Sequence, residues 1–306
     1  MKISHGIEYL LVRFTALIFR LLPHKMAVGL GGRLGRAVNN LWTARHRVIV
    51  KNLEIAFGDQ MTPADREELS REVFGNIGKT MAEVSLAPGL DKDKIMRLVD
   101  SEGEETFQEA LDYGKGALLT GSHFGNWELM GAYINALGFP VDFLVRSQHN
   151  PYVDRYLSYL RSCLGVRVIH SDRGMTEILR ALKENRQVAI VSDQHAGSQG
   201  IIVKFFGRPV SVPRAPAALS VKTGAPIITG YIVRNPDHTH HCVFHKPVYP
   251  RPDADPKEEI LRLTRLFTGR IEEAIRMRPD HWLWTHRRFK YLPPGEQIEG
   301  MYVEGD

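Results

Sequence analysis

The sequence predicts an α/β protein, a mainly parallel central sheet flanked by helices and preceded by a helical N-terminal region that is both hydrophobic and basic. Three observations predict it. After Gly114, short strand-like runs alternate with helix-length segments, which is the pattern of a parallel sheet covered by helices. Before that point every recognisable segment reads as helix. No Pro/Gly/Ser-rich linker divides the 306 residues, so the chain is expected to hold residues 1–44 as N-terminal helices and 45–306 as one α/β domain.

The N-terminal region is defined by its charge. Residues 1–50 carry eight basic side chains (Lys2, Arg13, Arg20, Lys25, Arg33, Arg36, Arg45 and Arg47) against one acid, Glu8. Residues 9–22, YLLVRFTALIFRLL, are shorter than the ~20 apolar residues that span a bilayer and contain two arginines. No small-residue cleavage site follows, so a removable signal peptide is not expected. On a helical wheel Leu10, Phe14, Leu17 and Leu21 share one side, while Arg13 and Arg20 form a narrow polar stripe. That pattern predicts a helix lying in a lipid headgroup region, its arginines snorkelling toward phosphates. The competing reading is an ordinary amphipathic helix on a soluble core.

Two further helices are expected at 45–57 (RHRVIVKNLEIAF) and 63–85, the second opened by Thr62 as cap and Pro63 in the first turn. From there the alternation gives strands at 117–122, 141–147, 166–170, 187–193, 225–233 and 241–249, and helices at 126–137, 151–164, 175–185, 214–224 and 257–277. The segment HWLWTHRRFK, 281–290, closes the chain, with Trp282 and Trp284 suited to a buried or membrane-facing strand.

Composition narrows the function classes. With 43% hydrophobic and 25% charged residues the chain is neither disordered nor polytopic in a membrane. Cys163 and Cys242 lack any CxxC spacing, which argues against a disulfide framework or zinc site and fits a reducing compartment. The net charge of +5 favours acidic partners, among them anionic lipid, an acidic carrier protein or nucleic acid.

In a parallel sheet, ligands bind in the crevice beyond the C-terminal strand ends. The residues that fall there are Ser122-His123, Arg146-Ser147 and Asp193-Gln194-His195. In GSHFGNWE, 121–128, a histidine ends a strand and a glutamate follows within the first helical turn. Residues five apart in a continuous helix lie about 140° apart, so His123 and Glu128 meet only if the chain turns between them. Gly125 supplies the permissive backbone for that turn. An alcohol that attacks a thioester must lose a proton, and a neutral imidazole is the usual acceptor. A carboxylate on the far ring nitrogen fixes the tautomer and stabilises the imidazolium, as in hydrolase triads, with the substrate hydroxyl in place of an enzyme serine. The alternative is a structural His–Glu pair or a helix cap.

HFGNWE is an HX4E form of the HX4(D/E) motif, and the chain resembles the late lauroyl and myristoyl acyltransferases of lipid A biosynthesis. The resemblance runs nearly end to end, through the basic hydrophobic N-terminus, RHRVIVKNLEIAFGD at 45–59, the HFGNWE core, the Asp-Gln-His triplet at 193–195 and WLWTHRRFK at 282–290. It implies a bacterial enzyme at the cytoplasmic face of the inner membrane, moving a fatty acyl chain from acyl-acyl carrier protein to a hydroxyl of a lipid A precursor in lipopolysaccharide biosynthesis. No covalent acyl-enzyme, metal or organic cofactor is implied. His123 is then the general base and Glu128 its partner. Arg161 is a candidate to stabilise the oxyanion or bind a phosphate, and Arg146 is a further phosphate candidate. Asp193 is a substrate-orienting or structural acid, and Asn126, inside the motif, joins the substrate- and oxyanion-binding candidates. The interior Phe-Gly-Asn-Trp also occurs in the wider superfamily, including mannoside-lipid acyltransferases. Those typically carry Asp where this chain has Glu128, which leans toward lipid A.

Three other features point elsewhere. His238, His240, His241 and His245 resemble a metal cluster, but adjacent residues of a strand point to opposite faces, so the four do not converge. AGSQG, 196–200, lacks the lysine of a P-loop and any GxGxxG order. HRRFK, 286–290, is basic without a nucleic-acid fold signature, so no nucleic-acid partner is expected. The rival functions are an acyltransferase of the same chemistry acting on another glycolipid or lysophospholipid, and a non-catalytic membrane-binding protein.

Overall fold

The computed structural model describes residues 3–171 and 174–290. Lys2 of the basic set, and residues 291–306 of the expected second unit, lie outside the described residues.

Four helices come first: α1 (Ile3–Arg20), α2 (His24–Leu41), α3 (Thr43–Phe57) and α4 (Pro63–Ser85). The expected start of α4 is present as a capping box, Thr62 and Asp65 each accepting from the other's backbone N–H, with Pro63 in the first turn. Helices α2 and α4 cross at backbone distance because glycines face each other; a Cβ on Gly35 would run into the Phe74 carbonyl, and one on Gly78 into that of Gly31.

The remaining elements are α5 (Lys92–Leu98), β1 (Val99–Glu102), α6 (Glu105–Asp112), β2 (Ala117–Gly121), α7 (Trp127–Ala136), β3 (Val141–Val145), α8 (Pro151–Cys163), β4 (Arg167–His170), α9 (Gly174–Lys183), β5 (Gln187–Val191), β6 (Ile201–Phe205), β7 (Arg208–Val212), α10 (Ala215–Thr223), β8 (Ile227–Arg234), β9 (His240–Phe244) and α11 (Pro256–Met277). Seven strands form one sheet in the order β1-β9-β8-β2-β5-β3-β4, parallel throughout except for the β8/β9 pair. The mainly parallel, helix-flanked sheet expected from the alternation is therefore present.

Residues alternate between its two faces. Leu118 joins a core with α3, α9, α10 and α11, whereas its neighbours Ala117 and Leu119 join a second core with α5 to α8. The sequence reading missed β1, α5 and α6, and it missed the β6/β7 hairpin. That hairpin turns through Phe206 and Gly207, both at positive φ (50° and 73°), as a two-residue primed turn requires. Trp282 and Trp284 are buried, but the expected strand reduces to one bridge between Phe124 and Trp282.

Helix α1 is apolar on its outer side as well as its inner one. Its inward face holds Ala16 and Phe19, while Leu10, Phe14, Leu17 and Leu21 are 52–75% exposed. Arg13 is exposed and Arg20 half-buried, and both also have partners on the protein. Arg20 donates to the Ser85 carbonyl (2.7 Å) and the Tyr156 hydroxyl (2.9 Å), and Arg13 lies over the Tyr156 ring. The aromatic side chains of α8 and the open carbonyls at the end of α4 give these cations partners on the protein side. Among the described residues no helix is long and apolar enough to cross a membrane.

Candidate active site

The site is built on the turn from β2 to α7. Gly125 has φ +58°, and a Cβ there would meet the Ile232 carbonyl, so the turn needs glycine on both counts. Backbone bonds lock the turn from outside: Gly125 N–H donates to the His281 carbonyl (2.9 Å) and Leu283 N–H to that of His123 (2.9 Å). Thr80 of α4 donates to the Gly125 carbonyl at 3.2 Å. Asn52 of α3 in turn binds the Trp284 and His286 carbonyls, each at 2.7 Å. Three of the segments that carry the family resemblance, 45–59, 123–128 and 282–290, are thus joined into one clamp.

The carboxylate facing His123 is Asp193, which corrects the expected Glu128. Strand β5 lies beside β2 with Val191 opposite Gly121, so two further residues on each strand bring Asp193 opposite His123. One carboxylate oxygen is 2.9 Å from His123 Nδ1; the other accepts from the His123 backbone N–H (2.9 Å) and from Trp282 Nε1 (2.7 Å). A carboxylate only accepts, so Nδ1 carries the proton and Nε2 is left as the basic nitrogen. Burial alone would raise the Asp193 carboxyl; the His123 charge and hydrogen bonds, with the Trp282 bond, overcome this and hold it at about 2. Burial also opposes protonation of His123, but the charge and hydrogen bond of Asp193, helped by the Glu128 charge, raise its pKa above the ordinary 6.5.

Glu128 lies in the first turn of α7 and reaches α8 instead. It accepts from Arg161 Nε (2.9 and 3.1 Å) and Nη2 (2.6 Å), a forked pair almost shielded from solvent. Burial lowers the Arg161 pKa and the Glu128 bond and charge outweigh it, so the guanidinium stays charged. Arg161 Nη1 has no hydrogen bond among the described residues, leaving its N–H groups for another acceptor.

His123, Glu128, Arg161 and the exposed Arg146 border one cavity of about 400 Å³, whose remaining wall is largely apolar, with Leu119, Met130, Phe143 and Ala189 among its residues. The structure thus brings five of the six expected residues to one place, Asp193 through its hydrogen bonds to His123. Asn126 is the exception. Its side chain caps α7 by accepting from Leu129 N–H (3.0 Å) and donates to Glu83 (2.8 Å), so it braces the turn instead of lining the cavity. That Glu83 is buried, and despite burial it is held well below the usual carboxylate range by His240 and Arg234. The expected opposition within the histidine run is visible: His240 faces Glu83 (2.9 Å) on the buried side and His241 faces Asp100 (2.6 Å) on the other. Among the described residues no group of three or more His, Cys, Asp or Glu is placed to hold a metal. Sequence reasoning also missed Trp282 and Asn52 as members of the site; an indole in a tail expected to be buried or membrane-facing was the available signal.

An oriented imidazole and an available guanidinium at the edge of an apolar cavity are the means to move a proton and steady a developing negative charge beside a greasy substrate. Comparison with known proteins gives the class a family. Residues 2–291 match the family described as bacterial lipid A biosynthesis acyltransferase, and the chain belongs to it. Similar proteins include the lipid A biosynthesis palmitoleoyltransferase of Escherichia coli, 26% identical over 92% of this chain and 90% of that one. The E. coli lipid A biosynthesis lauroyltransferase is 25% identical over 90% and 88% of the two chains. The phosphatidylinositol mannoside acyltransferase of Mycolicibacterium smegmatis is 26% identical over 87% and 86%. The protein is an acyltransferase of lipid A biosynthesis by family.

Proposed function

We propose that the protein transfers a fatty acyl chain from acyl-acyl carrier protein to a hydroxyl of a lipid A precursor, at the cytoplasmic face of a bacterial inner membrane. His123 Nε2 takes the proton of the acceptor hydroxyl as its oxygen attacks the thioester carbonyl. The tetrahedral intermediate collapses with loss of the carrier thiolate, which takes the proton back from the imidazolium. Asp193 holds the ring tautomer and balances the imidazolium charge. Glu128 acts through Arg161, fixing the guanidinium so that Nη1 faces the oxyanion. Arg146, free at the rim, meets a phosphate of the acceptor.

The observation that carries the reading is the His123–Asp193 pair beside an apolar cavity in a chain of this family. The outward apolar face of α1 supports a bilayer as the place of work, and a basic surface suits an acidic carrier. The mannoside relative supports a second acceptor, an inositol-mannoside lipid, with the same chemistry. Purified protein offered acyl carrier proteins of several chain lengths with both acceptors tests the two. Transfer to the lipid A precursor that vanishes in His123→Ala is expected; transfer to the mannoside lipid alone selects the second acceptor, and transfer to neither sinks both.

A further inference from the structure

Away from the catalytic cavity, the turn between α1 and α2, the end of α4 and helix α5 enclose an open groove of about 410 Å³. Leu22, Leu86, Leu90 and Leu98 give it an apolar floor, each half-buried rather than sealed in the core. Lys25, Lys94 and Arg97 are exposed along its edge, and no carboxylate lines it. Lys94 is held by Asp91 (3.2 Å) and the Gly89 carbonyl (2.8 Å). Lys25 and Arg97 are in no hydrogen bond or ion pair among the described residues; Asp237 and Asp91 are the carboxylates that feel their charges. Exposed apolar residues also adjoin the groove in the chain, Leu21 (75% exposed) next to Leu22 and Met26 (59%) next to Lys25.

An apolar trough rimmed by unpaired cations matches a molecule with a hydrocarbon chain a few bonds from an anion. A peptide would leave its backbone polar groups against leucines, and a free phosphate would leave the trough empty. We propose that this groove seats one acyl chain of an anionic bilayer phospholipid, with the lipid phosphate between Lys25 and Arg97. The proposal rests on the reading that the α1 face meets a bilayer. A lipid held there ties the α1–α2 turn to α4 and α5, the helices behind the active-site turn.

The full-length protein is released from vesicles of equal parts phosphatidylglycerol and phosphatidylcholine and weighed intact by native mass spectrometry. One retained phosphatidylglycerol per chain is expected. Leu90→Trp, which fills the trough and keeps every charge, should lose the retained lipid while still floating with the vesicles. Lys25→Glu with Arg97→Glu should lower the preference for phosphatidylglycerol by roughly tenfold or more, from the usual worth of a basic residue near an anionic lipid. Should Leu90→Trp fail to fold, the charge variants and a solution titration with monomeric dihexanoylphosphatidylglycerol decide the matter. That titration stays informative if the bilayer reading fails: wild type that does not float but saturates with the soluble lipid keeps the groove and loses the bilayer. No retained or titrating lipid, or a lipid unaffected by both sets of variants, overturns the proposal, as does retention of the lipid A acceptor in its place.

Discussion

Replacing Asp193 by asparagine changes one atom and tests the proposed base directly. The Oδ2 position accepts from two donors, the His123 backbone N–H and Trp282 Nε1, so the amide oxygen of asparagine is required there. The amide NH2 then faces His123 Nδ1, which must accept instead of donate. The ring switches tautomer, its proton moves to Nε2, and the nitrogen facing the substrate is no longer basic. Loss of a positioned general base costs 10²- to 10⁴-fold, so single-turnover acyl transfer by Asp193→Asn should fall by about 10³-fold, or about 4 kcal/mol in the barrier. The pH profile carries a second signature. In the wild type His123 must be neutral to act, and its raised pKa places the rising limb of the rate above pH 6.5. Without the Asp193 charge, burial dominates and the residual limb should move to lower pH. An Asp193→Asn enzyme with wild-type turnover and an unmoved limb would refute the assignment of Asp193 as the partner of His123.

Removing Glu128 strands a shielded guanidinium, so Glu128→Ala should destabilise the fold by about 3 kcal/mol in urea unfolding; a change below about 1 kcal/mol would mean that Arg161 finds water easily. Asp193 is lowered from 3.8 to about 2 in the fold, so its contribution is present above pH 3.8 and lost as pH falls toward 2. That contribution is worth about 2 kcal/mol, and it should appear as the difference between the acid unfolding curves of wild type and Asp193→Asn. Gly125→Ala combines a strained positive φ with a clash on the Ile232 carbonyl, and should unfold at least about 2 kcal/mol more easily than wild type. Finally, Phe14→Glu with Leu17→Glu should abolish flotation with anionic vesicles while leaving the melting temperature within a few degrees, because both side chains are already exposed.

The alternation that predicts the sheet was legible because parallel strands need long crossovers, and those leave separate helical and strand signals in the chain. The β6/β7 hairpin was not, since its turn residues Phe206-Gly207 lack the usual Asn-Gly or Asp-Gly signature and a non-glycine at positive φ is invisible to pattern. Strand β1 reads Val-Asp-Ser-Glu and looks like a loop. For the site, sequence proximity favoured Glu128 as the partner of His123. What decides the partner is that β5, seventy residues later, lies directly beside β2, and no local pattern reveals the neighbours of a strand. The partners of the α1 arginines were hidden for the same reason: a stripe of charge shows that a helix has two faces, but only the packing of Tyr156 and Ser85 reveals what Arg20 binds.

The bonds from His281 and Leu283 back to the active-site turn, with the Trp282 indole on Asp193, have a consequence for synthesis. A ribosome that has finished the whole sheet, through Phe244, has still not made the residues that fasten His123 in place. On the proposed mechanism, prematurely terminated chains are therefore expected to be inert rather than partly active, because the proposed base is fastened only when the last strap arrives.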